Sequence, residues 1–318
     1  MEAKYPIYII SKGRADTRLT VKTLEHIGQP YKVVIEGDEY GDYAAVIDPD
    51  NILVLPSDFR DNPVWARRCE DTGLLGGSIP ARNWVWQHAK DSGAKRHWIL
   101  DDNIQHMYRL HNNKKLKMTT ATGFRVCEDF ADRYEDVHMF GMNYAFFAPA
   151  TTKRPPYYWN TRVYSCICLS NEIFPDFYWR GRYNEDTDLS VRIMKHGYHT
   201  FLFNAFLCGK IASMMMKGGN TKEIYNIDNP GERVNRDQGN ENFDHRREFA
   251  ESLHKQHPDV VQITQKWGRW HHHINYDDFQ KGRERPKLKA GLNIPKGVNN
   301  YGLKLAKMKE EYINGNAE

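Results

Sequence analysis

The sequence predicts an α/β fold, an open sheet flanked by helices and followed by a C-terminal extension of helix and loop. Two observations carry this. Over the first hundred residues short apolar runs alternate with amphipathic segments in the order strand, helix, strand, strand, helix, strand, the rhythm of an open α/β sheet. The fourth strand then runs straight into Asp101-Asp102-Asn103, and sheets of this kind bind ligands beyond the carboxyl ends of their strands.

Each element has a local cause. Tyr5-Pro6-Ile7-Tyr8-Ile9-Ile10 reads as a buried first strand ended by Ser11-Lys12-Gly13-Arg14. A helix from about Thr17 to Ile27 places Leu19, Val21, Leu24 and Ile27 on one face and stops at Gly28-Gln29-Pro30. Lys32–Glu36 and Asn51–Leu55 are the second and third strands. Pro80 suits the first turn of a helix over Ala81–Lys90, with Gly93 past its end, and Arg96–Leu100 is the fourth strand. Further on, Thr161–Leu169 alternates as a strand with Cys166 and Cys168 on one face. A helix over Glu185–His196 ends at Gly197, and His199–Phe206 is another strand. Residues 218–242, rich in Asn, Gly and Asp, read as a long loop before a helix from about Phe243 to Gln256, and beyond Gly282 the composition suggests an arm laid on the surface.

Composition excludes several classes. In 318 residues, 27% are charged and 40% hydrophobic, a globular balance. No apolar run approaches the roughly 18 residues of a bilayer span, so no membrane is expected. The N-terminal residues lack a charged segment followed by a long apolar one, which argues against secretion. Cys69, Cys127, Cys166, Cys168 and Cys208 form an odd, scattered set, favouring a reducing cytoplasm over a disulfide frame or a zinc ribbon. Net charge is only +4, but Lys281–Lys309 holds nine Lys/Arg against the single acid Glu284. Such a tail is attracted to polyanions by counterion release, or simply aids solubility.

The strongest chemical signal is Ile99-Leu100-Asp101-Asp102-Asn103. Two acids at a strand end repel unless a cation or donor groups neutralise them. Oxygen ligands suit Mg²⁺ or Mn²⁺; an Asp turn or a helix cap is the plainer reading. Upstream lies Gly76-Gly77-Ser78-Ile79-Pro80-Ala81-Arg82-Asn83, and downstream Asn184-Glu185-Asp186-Thr187-Asp188-Leu189-Ser190-Val191-Arg192. Capping by Asn184 and the helix dipole explains one or two acids there. Three in four positions exceed it.

These three blocks, in this order and spacing, resemble the nucleotide-sugar glycosyltransferases of the GT-A fold over roughly Tyr5 to Cys208. Tyr8–Arg14, Lys217-Gly218-Gly219-Asn220-Thr221 and Lys266-Trp267-Gly268-Arg269-Trp270-His271-His272 resemble the phage-type TET-associated glycosyltransferases of DNA hypermodification. The resemblance implies a GT-A-like, Rossmann-type open mixed sheet. The catalytic domain would cover 1–215, split into a nucleotide-sugar half (1–103) and an acceptor and catalytic half (104–215). An extension over 216–280 would complete the site, and 281–318 would be a basic arm.

The activity implied is transfer of a sugar from a nucleotide-sugar donor, a UDP-sugar, to a hydroxymethylated pyrimidine such as 5-hydroxymethylcytosine in DNA. Carried over, Ser11, Lys12 and Arg14 would line the nucleotide pocket, with Glu36 at the nucleobase or ribose. Arg82, with Asn83 beside it, would meet the donor phosphates or sugar. Asp101 and Asp102 would meet the ribose and a Mn²⁺ or Mg²⁺ ion; Asn103 stands where the family commonly has an acid, which weakens that site. Asp186, with Glu185 beside it, would take the catalytic-base position, where a carboxylate within hydrogen-bond reach of the acceptor hydroxyl is needed. After the strand at 200–206 the chain has Leu207-Cys208-Gly209-Lys210 instead of a metal-binding His, so Lys210 or Lys217 could neutralise the diphosphate directly. Gly218-Gly219 would let the backbone approach phosphate.

For the DNA acceptor, Trp267, Arg269 and Trp270 are candidate wedges, and Lys281, Arg283 and Arg285 candidate phosphate contacts. Three consecutive histidines, His271–His273, suit a surface or hydrogen-bonding role; Met214–Met216 suits packing; Tyr157-Tyr158-Trp159 and Tyr178-Trp179 suit either base stacking or the core. Competing functions are the same chemistry on a glycan or other small acceptor, a nucleotidyltransferase, which would want a GxGxR loop after the first strand, and a DNA-binding module, which an acidic crevice disfavours.

Overall fold

In the computed structural model, which describes residues 1–68, 73, 75, 77–181, 183–211, 246–266 and 268–292, the first half follows the alternation of the sequence closely. β1 (Ile7–Ile10), α1 (Leu19–His26), β2 (Lys32–Ile35), a short α2 (Tyr40–Ala44), β3 (Ile52–Val54), α3 (Ile79–Asp91) and β4 (Arg96–Asp101) come in order. α1 starts two residues later than expected, because Arg18 takes the left-handed region (φ 28°) ahead of the first turn. The chain continues with β5 (Ile104–His111), β6 (Lys114–Lys117), α4 (Thr122–Ala131), β7 (Val137–Tyr144), β8 (Tyr157–Trp159), β9 (Cys166–Ser170), α5 (Glu185–Lys195), β10 (His199–Lys210), α6 (Arg246–Gln256), β11 (Val261–Lys266) and β12 (Arg269–Ile274). β9 is shorter than the expected 161–169 strand, since Ser165 at φ 59° turns the chain just before it. The loop expected over 218–242 and the start of the helix expected from 243 lie outside the described residues.

Ten strands make one mixed sheet in the order β3-β2-β1-β4-β9-β7-β10-β5-β6, with β8 paired to β10. β1 to β4 are mutually parallel. β9 runs antiparallel to β4 and to β7, while β7 and β10 are parallel. The carboxyl ends of β1, β2, β3, β4, β7 and β10 therefore share one edge. This is a GT-A-like, Rossmann-type α/β sheet.

The two faces bury separate cores. Period-two alternation sends Trp98, Leu100, Cys166 and Cys168 against α1 and α4, and Ile99, Ile167 and Leu169 against α3 and α5. Gly141 permits the close approach of β7 to β9, because a Cβ there would lie 2.2 Å from the Cys166 carbonyl oxygen. The antiparallel β11–β12 pair forms a separate small sheet, and α6 with Leu253 shares a core with Val261 and Ile274 of that pair and with Val191 and Met194 of α5.

The basic arm, as far as it is described, is docked rather than loose. The Lys287 carbonyl accepts from the Glu135 amide (2.9 Å), the Lys289 amide donates to the Arg133 carbonyl (2.8 Å), and Leu288 bridges Tyr134. That contact precedes β7, at the edge of the sheet opposite the carboxyl ends.

Candidate active site

The carboxyl edge gathers Ser11–Arg14 after β1, Glu36 after β2, Asp101–Asn103 at β4, Tyr144 ending β7 and Lys210 ending β10. The adjacent acids Asp101 and Asp102 do not share a partner. Strand alternation puts Asp102 on the α1 side, where its carboxylate accepts from Arg14 and from Ser11 Oγ (3.0 Å), and Ser11 Oγ meets the Tyr43 hydroxyl at 2.6 Å. Burial raises the Asp102 pKa, against the pull of Arg14 and Ser11. Asp102 thus fixes the loop after β1. Nearby, Glu36 accepts from Lys12 (3.0 Å) and from Arg60, holding two cations at the carboxyl edge.

Asp101 is the centre of the other cluster. Its Oδ1 accepts from Arg82 Nη2 (3.0 Å), and its Oδ2 from Lys210 Nζ (2.7 Å) and Ser165 Oγ (2.6 Å). Lys210 also lies 2.9 Å from Ser165 Oγ and 3.5 Å from the Tyr144 hydroxyl. Burial alone would raise the Asp101 pKa, but Lys210 and then Arg82 outweigh it and hold the carboxyl well below the usual range. Burial likewise disfavours charge on Lys210, yet Asp101 holds its pKa above the usual lysine value. The register shift between Gly209 and Lys210 sets this geometry at the end of β10. A Cβ on Gly209 would lie 2.8 Å from the Tyr108 ring. Ser165 holds its φ of 59° at a cost of order 1–2 kcal/mol for a non-glycine residue. From that conformation its hydroxyl meets three polar partners, Asp101, Lys210 and Tyr144.

The amino end of α5 faces this cluster. Arg82 Nε lies 3.2 Å from Ser78 Oγ and 3.5 Å from Glu185 Oε1, and its guanidinium sits 4.9 Å from the Trp179 ring centroid. Burial raises the Glu185 pKa, Arg82 opposes this, and Asp186 adds to it. Asn184 does not cap α5 as its sequence suggests: it takes φ 61°, and its side-chain amide reaches the Phe249 carbonyl instead. Asp186 Oδ1 accepts from the Thr187 amide at 2.7 Å. Asp186 also acts electrostatically on Arg162 and Tyr276. Arg162 Nη1 lies 3.3 Å from His272 Nε2 on β12. Burial and then Arg162 hold His272 down to about 3, so the ring is neutral and Nε2 accepts. The third acid of the motif does a different job: buried Asp188 accepts from Arg180, from Arg192 Nε (2.8 Å) and from His257 Nε2 (2.9 Å), tying α5 to the residues around α6. The excess of acids thus divides into two that face the site and one that holds the fold.

Other expectations need correcting. Asn83 is fully buried and spends its amide on backbone: it donates to the Trp65 and Trp179 carbonyls and accepts from the Trp179 amide, all at 2.8 Å. It shapes α3 and does not face a donor. Asp101, Asp102 and Asn103 do not converge as ligands, because alternation separates the acids and cations already cover both. Asn103 Oδ1 is buried without a hydrogen-bond partner among the described residues. No three His, Cys, Asp or Glu side chains among the described residues are placed to hold a metal ion. With Arg82 and Lys210 on Asp101 and Arg14 on Asp102, this donor set does not fit a protein-bound Mn²⁺ or Mg²⁺. Trp179 belongs to the core.

The acceptor candidates are dispersed. Trp270 lies on β12 under Arg247 (5.0 Å), two residues from His272, while Arg269 is exposed at the start of that strand. Arg283 donates to the Met194 carbonyl at the far end of α5, Arg285 sits 5.9 Å from the Trp159 ring centroid, and Lys281 pairs with Asp278. The structure does not bring these three cations to the crevice. Lys217, Gly218, Gly219 and Trp267, and also Gly76 and Met214–Met216, lie outside the described residues. Ser165, Tyr144, Arg162 and Tyr276 join the site without having been singled out in the sequence. The one local cue to Tyr144 is its place at the head of an aromatic cluster with Phe146 and Phe147.

The model of the TET-associated glycosyltransferase family matches residues 5–219, about two thirds of the chain. The chain belongs to that family. It is therefore a glycosyltransferase, with a sugar donor and an acceptor to accommodate, and the family region contains every strand of the main sheet and the Asp101 and Glu185–Asp186 clusters. No curated protein matches the chain significantly. No helix among the described residues is long and apolar enough to cross a membrane.

Proposed function

We propose that the enzyme moves a sugar from a UDP-sugar to the hydroxymethyl group of a modified pyrimidine, 5-hydroxymethylcytosine, in DNA, as part of phage DNA hypermodification. The observation that carries the transfer chemistry is the Asp101 cluster, in which one carboxylate at a strand end aligns two cations, Arg82 and Lys210, opposite the acids of α5, while the DNA acceptor rests on the family match. The pocket of Ser11, Lys12, Arg14 and Glu36 takes the nucleoside, with Glu36 as an acceptor for ribose or base donors. Arg82 and Lys210 meet the diphosphate, where cationic donors aimed at the leaving oxygen favour the transition state. Asp186 accepts the proton of the hydroxymethyl oxygen as that oxygen bonds to the sugar anomeric carbon. The bond from that carbon to the phosphate oxygen breaks, and its electron pair leaves on the diphosphate. Glu185 positions Arg82 from the α5 side.

The test is mass spectrometry of nucleosides from 5-hydroxymethylcytosine DNA incubated with the protein and a panel of UDP-sugars. Glycosylated hydroxymethylcytidine is the expected product. Donor turnover with a glycan or small acceptor and none with DNA would overturn the DNA assignment while leaving the glycosyltransferase intact.

A further inference from the structure

The turn after β7 exposes two large aromatic side chains at the carboxyl edge. Phe146 is 68% and Phe147 37% accessible. Their ring centroids are 3.9 Å apart, and the Tyr144 ring stacks against both at 5.8 Å, with interplanar angles of 23° and 26°. Tyr144 in turn packs on Tyr164 (4.2 Å), over which Arg162 lies at 4.7 Å. The Tyr144 hydroxyl reaches Ser165, which holds Asp101. A continuous aromatic ladder therefore runs from solvent to the residues around Asp101 and Asp186. Packing does not explain its outer end, since burying a side chain of this size is what normally stabilises it.

The surroundings specify the occupant. Lys115 Nζ donates to the Ala145 carbonyl at 2.9 Å, which brings the β5–β6 hairpin against the turn. All four residues of β6, Lys114-Lys115-Leu116-Lys117, are exposed. There is no Asp or Glu from Asn103 to Cys127 or from Val137 to Asn171, while these stretches carry Arg109, Lys114, Lys115, Lys117, Lys153 and Arg154 among their cations. An exposed aromatic pair beside a lysine-bearing hairpin, on stretches of chain that carry no acid, matches a chain of stacked bases joined by phosphates, since base stacking on aromatics and cationic tracking of the backbone are how single strands are held. An extruded nucleotide offers the same two features.

We propose that Phe146 and Phe147 form the platform on which a base of the acceptor strand stacks, with Lys115 and Lys117 on its phosphates. This deepens the DNA reading above and rests on it. The platform positions the acceptor beside Asp186; the described part of the basic arm lies at the opposite edge of the sheet and does not.

The test is steady-state transfer to hydroxymethylated DNA with Phe146→Ala, Phe147→Ala and Phe146→Trp in the full chain. Stacking on one aromatic is worth about 5- to 150-fold in affinity, so each alanine variant should raise KM for DNA by that order with kcat changed little, and tryptophan should restore it. Phe146 is largely exposed, so its truncation leaves no cavity and the variant folds. Lys115→Gln with Lys117→Gln should reduce the slope of log KM against log salt by up to about 0.9 per lost phosphate contact. Wild-type transfer to DNA with unchanged KM in both alanine variants would overturn the platform and leave the DNA reading standing. Failure of the wild type itself to bind or modify DNA would overturn both.

Discussion

Removing the Lys210 charge is the most informative single perturbation of the Asp101 cluster. Lys210→Met keeps most of the stem and deletes the ammonium 2.7 Å from Asp101 Oδ2. At an effective dielectric of about 20, the Coulomb attraction at that distance is about 6 kcal/mol before desolvation is subtracted. Breaking a buried pair by removing one partner costs roughly 3–5 kcal/mol. Asp101 keeps Arg82 at 3.0 Å and Ser165 at 2.6 Å, so the stability loss falls at the low end, about 3 kcal/mol. The catalytic loss is separate: one aligned donor to a developing oxyanion contributes about 10²–10³ in kcat. The assay is UDP release with and without DNA, alongside calorimetric UDP binding and a denaturant melt. Because the lysine supplies charge that a metal would otherwise bring, added Mn²⁺ should raise the activity of Lys210→Met by a larger factor than that of the wild type. A variant within about threefold of wild-type kcat, or a wild type that gains as much from Mn²⁺ as the variant, refutes this account.

The pH dependence has a defined sign. Asp101, held low, contributes stability that is complete above about pH 4 and lost as pH falls; Lys210, held high, contributes stability complete below about pH 10 and lost as pH rises through its folded value. Urea melts across pH should show no break from this pair between those limits. Asp188→Asn removes the charge that Arg180 and Arg192 share and should cost about 3–5 kcal/mol, while flattening the acid limb of the stability profile, because Asp188 is also held low. Equal acid limbs in variant and wild type would contradict this. Glu185→Gln removes a carboxyl whose pKa burial has raised and should move the acid limb of the pH–rate profile to lower pH; an unchanged limb assigns that limb elsewhere. Replacing Lys281, Arg283 and Arg285 together by Gln should leave KM for DNA within about twofold and its salt slope unaltered. A slope reduced by about 0.9 per contact would show that the arm grips phosphate.

The parts of the site legible in the sequence are those with local causes. β1 to β4 announce themselves as apolar runs with clear stops, and Asp101 and Glu185–Asp186 stand at element ends where local pattern places ligand-facing acids. What the sequence did not reveal is which way each acid points. Adjacent residues at a strand end turn to opposite faces, so Asp101 pairs with Arg82 and Lys210 while Asp102 pairs with Arg14 and Ser11. Asn83 directly follows Arg82, yet one helical step carries it into the core against Trp179. β5 and β6 leave little trace in the sequence because the hairpin is polar on most of its surface and lacks clean alternation. Ser165, Tyr144, Arg162 and His272 meet only through long-range pairing, and no local pattern reports such a meeting.

The central claim, that Asp186 at the start of α5 takes the acceptor proton rather than only caps a helix, is tested most directly by Asp186→Asn, measured for UDP binding and for sugar transfer in the same preparation. Asp186 Oδ1 does accept from the Thr187 amide, so a purely capping role predicts a loss of about 0.5–2 kcal/mol of stability and near-normal transfer in the folded protein. The account predicts retained UDP affinity with transfer reduced by about 10²–10⁴-fold, the usual loss when a general base is removed. Near-normal transfer by a folded Asp186→Asn enzyme would contradict it.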